Sequence, residues 1–381
     1  MKLDRRRFIT GTGIAGIAGL AGCTGGPSSG DGGDGGDGGD GGDGDDSEMT
    51  DTPTESGEAE VAANIGMVYA TGGLGDGSFN DQAQQGVQQA QEDFGIEFQE
   101  SQPQEVADFA NLQQQFAQST DPDYDLVSCI GFLQADALSE NAPQYPDQNF
   151  QIVDSVVDEP NVASYVFAEE EGSYLVGQLG GLLTTMSFSA GAGSTQSDST
   201  NVGFVGGVES GLIKKFEAGF TAGVKAANDD VDVQTAYTGS FNDPAAGKEA
   251  ALSMYNSGAD VVYHASGNTG TGVFQAAQEQ GRFAIGVDRD QSVTKESFQD
   301  VILASMVKRV DTAVYNAIEA QVNGNFSGGV TALGLEQEGV GIVYGQQLGS
   351  EIPDDVKSEI DASAQAIIDG EIDVPTDPNN A

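Results

Sequence analysis

The stretch Gly72-Gly-Leu-Gly-Asp-Gly-Ser-Phe-Asn-Asp81 separates two segments with different hydrophobic patterns. Residues 64–70 before it form a short apolar run closed by glycines, which predicts a buried β-strand. In residues 82–94 after it, apolar side chains recur at helical spacing, which predicts a helix. We therefore expect a strand-to-helix loop at the carboxyl end of a strand, the edge at which open α/β sheets bind ligands.

The composition of this loop suits a small organic ligand. Its four glycines let a ligand approach the backbone closely. Phe79 offers a flat apolar face, and Asp76, Asn80 and Asp81 offer hydrogen-bonding groups. A phosphate loop would also place glycines before a helix, but no Lys follows and two carboxylates would repel a phosphate. An ordinary turn in which Asn80 or Asp81 caps the helix is compatible with ligand binding.

The charge of the chain is extreme. Its 381 residues, enough for one large domain or two ordinary ones, contain 14 Lys and Arg against 60 Asp and Glu, a formal net charge of −46. Without a basic surface, nucleic acid is excluded as a partner. The even spread of acidic residues resembles proteins of extremely halophilic archaea, in which salt screens self-repulsion. A basic partner is the alternative.

The first 22 residues have the features of an export signal. Asp4-Arg-Arg-Arg-Phe-Ile9 resembles a twin-arginine signal, and residues 11–22 are too short and glycine-rich to span a bilayer. Leu20-Ala-Gly-Cys23 resembles a lipobox, which predicts lipidation of Cys23, with a plain thiol as the alternative. Residues 23–60, mostly Gly, Asp, Ser and Thr, are expected to be a flexible tether. The expected location is the extracellular face of the cell membrane.

From residue 61 onward, apolar strands alternate with amphipathic helices, which predicts an α/β fold with parallel sheets. The pattern restarts at residue 201, and Ser-Phe-Asn-Asp of residues 78–81 recurs within Gly239-Ser-Phe-Asn-Asp243. We expect one lobe from residues 61–168 plus about 301–325, a second from 169–300 plus about 326–372, and a tail of 373–381. Residues 188–200 are expected to be a mobile surface loop, and residues 334–344 two short antiparallel strands.

Two such lobes imply a cleft that opens and closes on a hinge around a small ligand. Phe79 and Phe241, one from each lobe, can stack on a flat ring, which contributes about 1–3 kcal/mol for a base. Asp288 can accept hydrogen bonds from a sugar diol, and Lys308 can donate to a ring oxygen or hydroxyl. Core packing is the alternative role for each Phe, and a structural ion pair at the hinge is the alternative for Asp288 and Lys308.

Other aromatic and titratable residues receive secondary roles. Phe132 is a further aromatic residue expected at the strand ends, and Phe216 is the second choice for stacking. The sole histidine, His264, is a poor candidate for metal binding or catalysis, and Cys129 is expected to be a buried strand residue.

Four motifs resemble the basic membrane protein family of substrate-binding lipoproteins, whose best-understood type is the purine nucleoside receptor. They are Leu74-Gly-Asp-Gly-Ser-Phe-Asn-Asp81, Val202-Gly-Phe-Val-Gly-Gly207, Leu212-Ile-Lys-Lys-Phe-Glu-Ala-Gly-Phe220 and Gly239-Ser-Phe-Asn-Asp-Pro244. The resemblance implies a type I periplasmic-binding-protein fold, with two Rossmann-like lobes, that delivers a purine nucleoside to an ABC permease and its ATPase. It implies a monomer without catalysis, cofactor or metal.

The resemblance also implies roles for individual residues. Phe79 and Phe241 are expected to be the stacking pair. Asn80 and Asp136 are expected to face the base, and Gly267, Asp288 and Lys308 are expected to face the ribose. Asp76, in the loop of residues 72–81, is a further ligand-binding candidate.

Two other functions remain open at this point. A nucleoside hydrolase would also have aspartates in a cleft, although it would need several carboxylates around a Ca²⁺ ion in one loop. A sensor or surface lipoprotein without an importer would show the same binding residues.

Overall fold

The computed structural model describes residues 61–196 and 199–381. The predicted export signal, Cys23 and the predicted tether lie outside the described residues. In the described part, no helix is both long and apolar enough to cross a membrane. Two six-stranded sheets form two lobes, which confirms the predicted α/β fold.

The first sheet is parallel throughout. Its strands, in spatial order, are β13 (Gly329–Leu333), β5 (Val162–Phe167), β4 (Asn149–Val153), β3 (Leu126–Ile130), β1 (Asn64–Val68) and β2 (Glu97–Ser101). Every residue of β3 is buried, because helices cover both faces of a parallel sheet and its central strands become continuously apolar.

The second sheet repeats this order. Its strands are β14 (Val340–Tyr344), β12 (Ile302–Lys308), β11 (Phe283–Asp288), β10 (Ala259–Ala265), β8 (Asn201–Gly206) and β9 (Asp232–Tyr237). All neighbours are parallel except β14, which runs antiparallel to β12. The restart predicted at residue 201 is thus the first strand of a second, similarly ordered sheet.

The helices connect and cover these strands. They are α1 (Phe79–Phe94), α2 (Phe109–Ala117), α3 (Ala135–Asn141), α4 (Glu169–Thr184), α5 (Gly211–Ala227), α6 (Pro244–Asn256), α7 (Gly270–Gln280), α8 (Gln291–Thr294), α9 (Val310–Val322) and α10 (Asp354–Ile368). Helix α4 follows a strand of the first sheet but packs on α5 of the second lobe, and α9 follows β12 but packs on α1 of the first lobe.

The chain therefore crosses between the lobes after β5, after β12 and after β13, and the last two crossings differ from the expected boundaries. Residues 302–308, expected in the first lobe, pair within the second sheet, and residues 329–333, expected in the second lobe, pair within the first. Residues 334–344, expected to form two short antiparallel strands, contain only β14, and the strand before them, β13, belongs to the other sheet. Hydrophobic pattern identifies a strand but carries no information about its neighbour, which explains both differences.

The Gly/Ser-rich segment predicted to be a mobile surface loop begins with a small hairpin, β6 (Ser189–Ala190) and β7 (Gly193–Ser194). Phe188 packs against Phe283 with ring centroids 5.4 Å apart. The backbone N–H of Gln196 donates to the buried carboxylate of Asp260 at 3.1 Å. The described residues of this Gly/Ser-rich segment are therefore docked on the second lobe.

Helices α4 and α5 approach each other unusually closely because glycines face the neighbouring backbone. A Cβ atom added at Gly223 would lie 2.0 Å from the carbonyl oxygen of Tyr174, and one at Gly219 would lie 2.1 Å from that of Glu170. Backbone atoms in packed helices cannot move aside cheaply, so these positions require glycine.

We predict that Gly223→Ala lowers the free energy of unfolding by about 3 kcal/mol, because it overpacks the α4–α5 contact. Urea unfolding in molar salt measures the change. Gly211→Ala, at the exposed start of the same helix with no atom within 4 Å of the new Cβ, is the matched control and should change stability by about 0.5 kcal/mol or less. Equal effects of the two substitutions would contradict the proposed close contact.

Candidate functional site

A cleft with about 670 Å³ of empty space, which includes space open to solvent, lies between the carboxyl ends of the two sheets. Most of the predicted site residues line it: Asp76, Phe79, Asn80, Phe241, Gly267, Asp288 and Lys308. They arrive from both lobes, as the loop positions at strand ends led us to expect.

Asp136 is the exception. It lies in the first turn of α3, is exposed to solvent and does not line the cleft. The loop after β3 instead contributes Gly131, Phe132 and Leu133 to the cleft wall. The structure thus does not support the expected role of Asp136 in facing a base.

Two carboxylates organise the loop of residues 72–81. Asp76 accepts hydrogen bonds from the backbone N–H groups of Ser78 at 2.8 Å and Asn80 at 3.0 Å, and Asp81 accepts from those of Gly75 at 2.7 Å and Gly77 at 2.8 Å. Gly75 and Gly77 have positive φ angles of 86° and 64°, a conformation that glycine adopts without a steric penalty. Burial raises the pKa of Asp76 to about 6, although the backbone hydrogen bonds act in the opposite direction. This carboxylate sits at the N-terminus of α1, which favours its ionised form.

Asn80 connects the loop to the preceding strand. Its side-chain oxygen accepts from the backbone N–H of Ala70 at 2.9 Å, and its amide nitrogen donates to Asp76 at 3.1 Å. Asp76 and Asn80 therefore bind each other and the backbone, and they shape the cleft wall that carries Phe79.

Phe79 and Phe241 are half-buried and line the same cleft from opposite lobes. Each packs over a glycine at the end of a strand: a Cβ at Gly131 would lie 3.5 Å from the ring of Phe79, and one at Gly207 would lie 2.4 Å from that of Phe241. Phe132 meets Phe241 edge-on, with ring centroids 6.3 Å apart and planes at 82°. Phe216, the second choice for stacking, is buried but also lines the cleft.

Lys308 is buried at the floor of the cleft with only 2% of its surface exposed. Its Nζ lies 2.7 Å from Asp154 Oδ2 and 3.3 Å from Glu169 Oε1. The same atom lies 5.1 Å from the ring centroid of Phe79 and 5.4 Å from that of Phe216, within the range of cation–π attraction. We call Lys308, Asp154, Glu169 and Asp288 the floor cluster.

Asp288 joins the floor cluster without a direct ion pair. Its Oδ2 accepts a hydrogen bond from the hydroxyl of Ser78, which reaches across from the first lobe. The alternative prediction, a structural ion pair between Asp288 and Lys308, is thus not observed among the described residues. Lys308 instead pairs with Asp154 and Glu169.

The electrostatics of the floor cluster follow from burial and proximity. Burial alone would lower the pKa of Lys308, but the neighbouring carboxylates of Asp154, Glu169 and Asp288 raise it above its ordinary value. Burial raises the pKa of Asp154 to about 6 and also raises that of Asp288, with Lys308 opposing both shifts. Lys308 is therefore charged at neutral pH, and the carboxylates outnumber it.

Asp154, Glu169 and Ser78 were not among the site residues predicted from the sequence. Asp154 carried a usable signal, because it directly follows a buried strand, as Asp288 ends another. Ser78 lies in the loop of residues 72–81 that was predicted to face the cleft, but no pattern indicates that its hydroxyl reaches Asp288 of the other lobe. Glu169 had no comparable signal, because its role depends on which lobe α4 faces.

The remaining singled-out residues are structural. His264 is fully buried, and its Nε2 lies 2.9 Å from Gln291 Oε1. Burial lowers its pKa to about 4, so the ring is neutral at physiological pH. Cys129 is buried in the first lobe, and the described residues contain no group of three or more His, Cys, Asp or Glu arranged to hold a metal ion.

Comparison with known proteins gives a consistent result. Residues 63–378 match the family model Bmp, described as ABC transporter substrate-binding protein PnrA-like. A CD4+ T-cell-stimulating antigen of Listeria innocua is 37% identical, with 82% of this chain and 88% of the relative covered. The ABC transporter nucleoside-binding protein BmpA of Lactococcus lactis is 34% identical, with 86% and 93% covered. An uncharacterized lipoprotein of Pyrococcus abyssi is 35% identical, with 77% and 70% covered.

A solved structure agrees with the fold. The solute-binding protein of an ABC transporter system from Aeropyrum pernix K1 superposes with a TM-score of 0.74 at 29% identity, covering 83% of this chain and 95% of that one. The expected periplasmic-binding-protein fold is therefore confirmed.

We predict that Lys308→Met lowers the free energy of unfolding by about 3–5 kcal/mol, because it leaves buried carboxylates without their cation. The loss should be smaller at pH 5 than at pH 8. Lys308 lowers the pKa of Asp154 and Asp288, so their folded-state pKa values rise further in the variant and protonation removes the uncompensated charge. Denaturant unfolding across this pH range measures both effects.

Lys214→Met is the control for removing a cation, because Lys214 pairs with Glu209 at the surface, where ion pairs contribute little. A Lys308→Met protein as stable as the Lys214→Met protein at pH 8 would contradict the account of the floor cluster.

Proposed function

Because the chain belongs to the Bmp family of ABC transporter substrate-binding proteins, we propose that it binds purine nucleosides in the cleft between its lobes and delivers them to an ABC importer. The observation that carries the proposal is that Phe79 and Phe241, from different lobes, line one cleft whose floor holds a buried Lys–carboxylate cluster. The name of the Lactococcus lactis relative supports the ligand class.

Two kinds of group in the cleft, aromatic and charged, suit the two parts of a nucleoside. Aromatic rings stack on any base and exclude water from it. The floor cluster offers charged donors and acceptors for a sugar: Lys308 has ammonium hydrogens, and Asp288 has a second carboxylate oxygen beyond the one bonded to Ser78.

Contacts between the lobes indicate how closure is coupled to this site. Ser78 donates to Asp288, and Thr294 Oγ1 donates to the carbonyl oxygen of Gly77 at 2.8 Å. Both contacts join the loop that carries Phe79 to the second lobe. A ligand that holds Phe79 and Asp288 in place therefore favours the closed arrangement, which is the form that a permease distinguishes from the open one.

The proposal includes the location and partners of the protein. We infer export by the twin-arginine route, lipidation at Cys23 and anchoring on the outer face of the cell membrane, beside a permease and its ATPase. The lipobox-like Leu20-Ala-Gly-Cys23 and the lipoprotein relative of Pyrococcus abyssi support this. The net charge of −46 supports function in concentrated salt.

Nucleoside hydrolysis is the competing activity. The loop of residues 72–81 supplies Asp76 and Asp81, but both carboxylates are occupied by backbone N–H groups. We therefore propose binding without catalysis. Incubation with inosine should release no hypoxanthine, and its release would establish the competing activity.

We predict that the protein binds inosine, guanosine or adenosine with measurable heat in molar salt. Isothermal titration calorimetry is the measurement. Nucleoside 5′-monophosphates should bind far more weakly, because a phosphate would approach the buried carboxylates of the floor cluster. Absence of heat with all three nucleosides would contradict the proposed ligand class.

We also predict that Phe241→Ala weakens nucleoside binding about ten- to a hundredfold, the equivalent of one lost stacking contact. Phe298→Ala is the control: Phe298 packs on Phe274 in the core of the same lobe, 5.9 Å between centroids, and does not line the cleft. It should lower the melting temperature and leave the dissociation constant unchanged. If both substitutions left affinity unchanged, stacking on Phe241 would be ruled out.

A further inference from the structure

Asp154 has an oxygen atom without a hydrogen-bond partner. The residue lies directly after β4, lines the cleft and is only 9% exposed. Its Oδ2 is bound by Lys308 at 2.7 Å, whereas its Oδ1 is buried and has no partner among the described residues. Buried acceptors are nearly always satisfied, so an orphaned one in a cleft wall indicates a group that arrives from outside the chain.

The other orphaned atoms do not share this position. Buried side-chain oxygens without a partner also occur in the described part of the chain at Glu170, Gln178 and Tyr344. These residues do not line the cleft, whereas Asp154 does.

The backbone supplies a second, independent observation. Asp154 has a φ angle of 70° and Asp288 one of 65°, a left-handed conformation that non-glycine residues rarely adopt. Backbone conformations of this kind cluster at functional sites. Glu338 is the third non-glycine residue with a positive φ angle in the described part of the chain, and it does not line the cleft. The two aspartates also end equivalent strands, since β4 and β11 each occupy the third position of their sheets. They therefore face the cleft as a pair, one from each lobe.

We propose that Asp154 is a ligand-binding residue whose Oδ1 accepts a hydrogen bond from a hydroxyl group of the bound ligand. The inference rests on the proposed function, because the hydroxyl is that of a nucleoside sugar. It makes Asp154 a determinant of specificity: a ligand that lacks this hydroxyl leaves a charged acceptor buried and unpaired. Sites built to bind a hydroxyl reject the analogue without it for this reason.

The charge of the surroundings selects the chemical class of the donor. Asp154, Glu169 and Asp288 face Lys308, and Glu169 is also bound by Lys215 at 3.2 Å. A neutral hydroxyl adds a donor without adding charge. A phosphate or carboxylate would instead bring acceptors and a negative charge against Oδ1.

The test is calorimetric titration of the wild-type protein and of Asp154→Ala with inosine and its 2′-, 3′- and 5′-deoxy analogues in molar salt. In the wild type, one analogue should bind about ten- to a hundredfold more weakly than inosine, the expected effect of a hydrogen bond to a charged group. In Asp154→Ala, the affinity for inosine should fall by a similar factor. The affinity for that analogue should be the same as in the wild type. This pattern is the coupling expected of a direct contact.

Glu169→Gln is the comparison variant, because it also removes a carboxylate from Lys308, but at a residue that does not line the cleft. A direct contact with Asp154 predicts that the ratio between inosine and the deoxy analogue falls much less in Glu169→Gln than in Asp154→Ala. Equal loss of that ratio in both variants would show that the effect passes through Lys308, and would overturn a direct contact.

If Asp154→Ala does not fold, Asp154→Asn replaces it. The amide keeps an oxygen toward Lys308 and turns a donor toward the ligand, so discrimination should fall at least about threefold. Discrimination that stays unchanged in the folded variant, or is absent in the wild type, overturns the inference alone. A wild type that binds none of the four ligands overturns the proposed function as well.

Discussion

The ion pair between Lys308 and Asp154 joins the two lobes at the floor of the cleft. Lys308 ends a strand of the second sheet, and Asp154 follows a strand of the first. A buried ammonium group is stable only where carboxylates are close, and the 2.7 Å contact meets that requirement. The position of one lobe relative to the other is therefore tied to a charge that is shared between Asp154 of the first lobe and Glu169 at the start of α4.

The path of the chain makes this arrangement possible. Because α4 and α9 each follow a strand of one lobe and pack in the other, the segments that cross between the lobes begin beside the floor cluster. Glu169 starts the first of these helices, and Lys308 lies two residues before the second. The segments that connect the two lobes thus share residues with the floor cluster.

The sequence was sufficient for much of this description, and the reasons are local. The glycine-rich loop before α1 and its partial repeat at residues 239–243 identified strand ends, and strand ends of parallel sheets face a common cleft. Phe79, Phe241, Asp288 and Lys308 could therefore be placed at one site. The wrong predictions concern features that the hydrophobic pattern of the sequence does not encode. Pairing with neighbouring strands puts β12 and β13 each in the lobe opposite to the expected one. Asp136, which follows a short 3₁₀ turn, faces solvent.

The central claim is that one ligand lies between Phe79 and Phe241 with its sugar against the floor cluster. A crystal structure of the protein with a bound purine nucleoside tests this most directly. The account predicts the base between the two rings and at least one sugar hydroxyl within hydrogen-bond distance of Lys308, Asp154 or Asp288. A nucleoside bound outside the cleft, or with its base against Lys308 and its sugar near the rings, would contradict it.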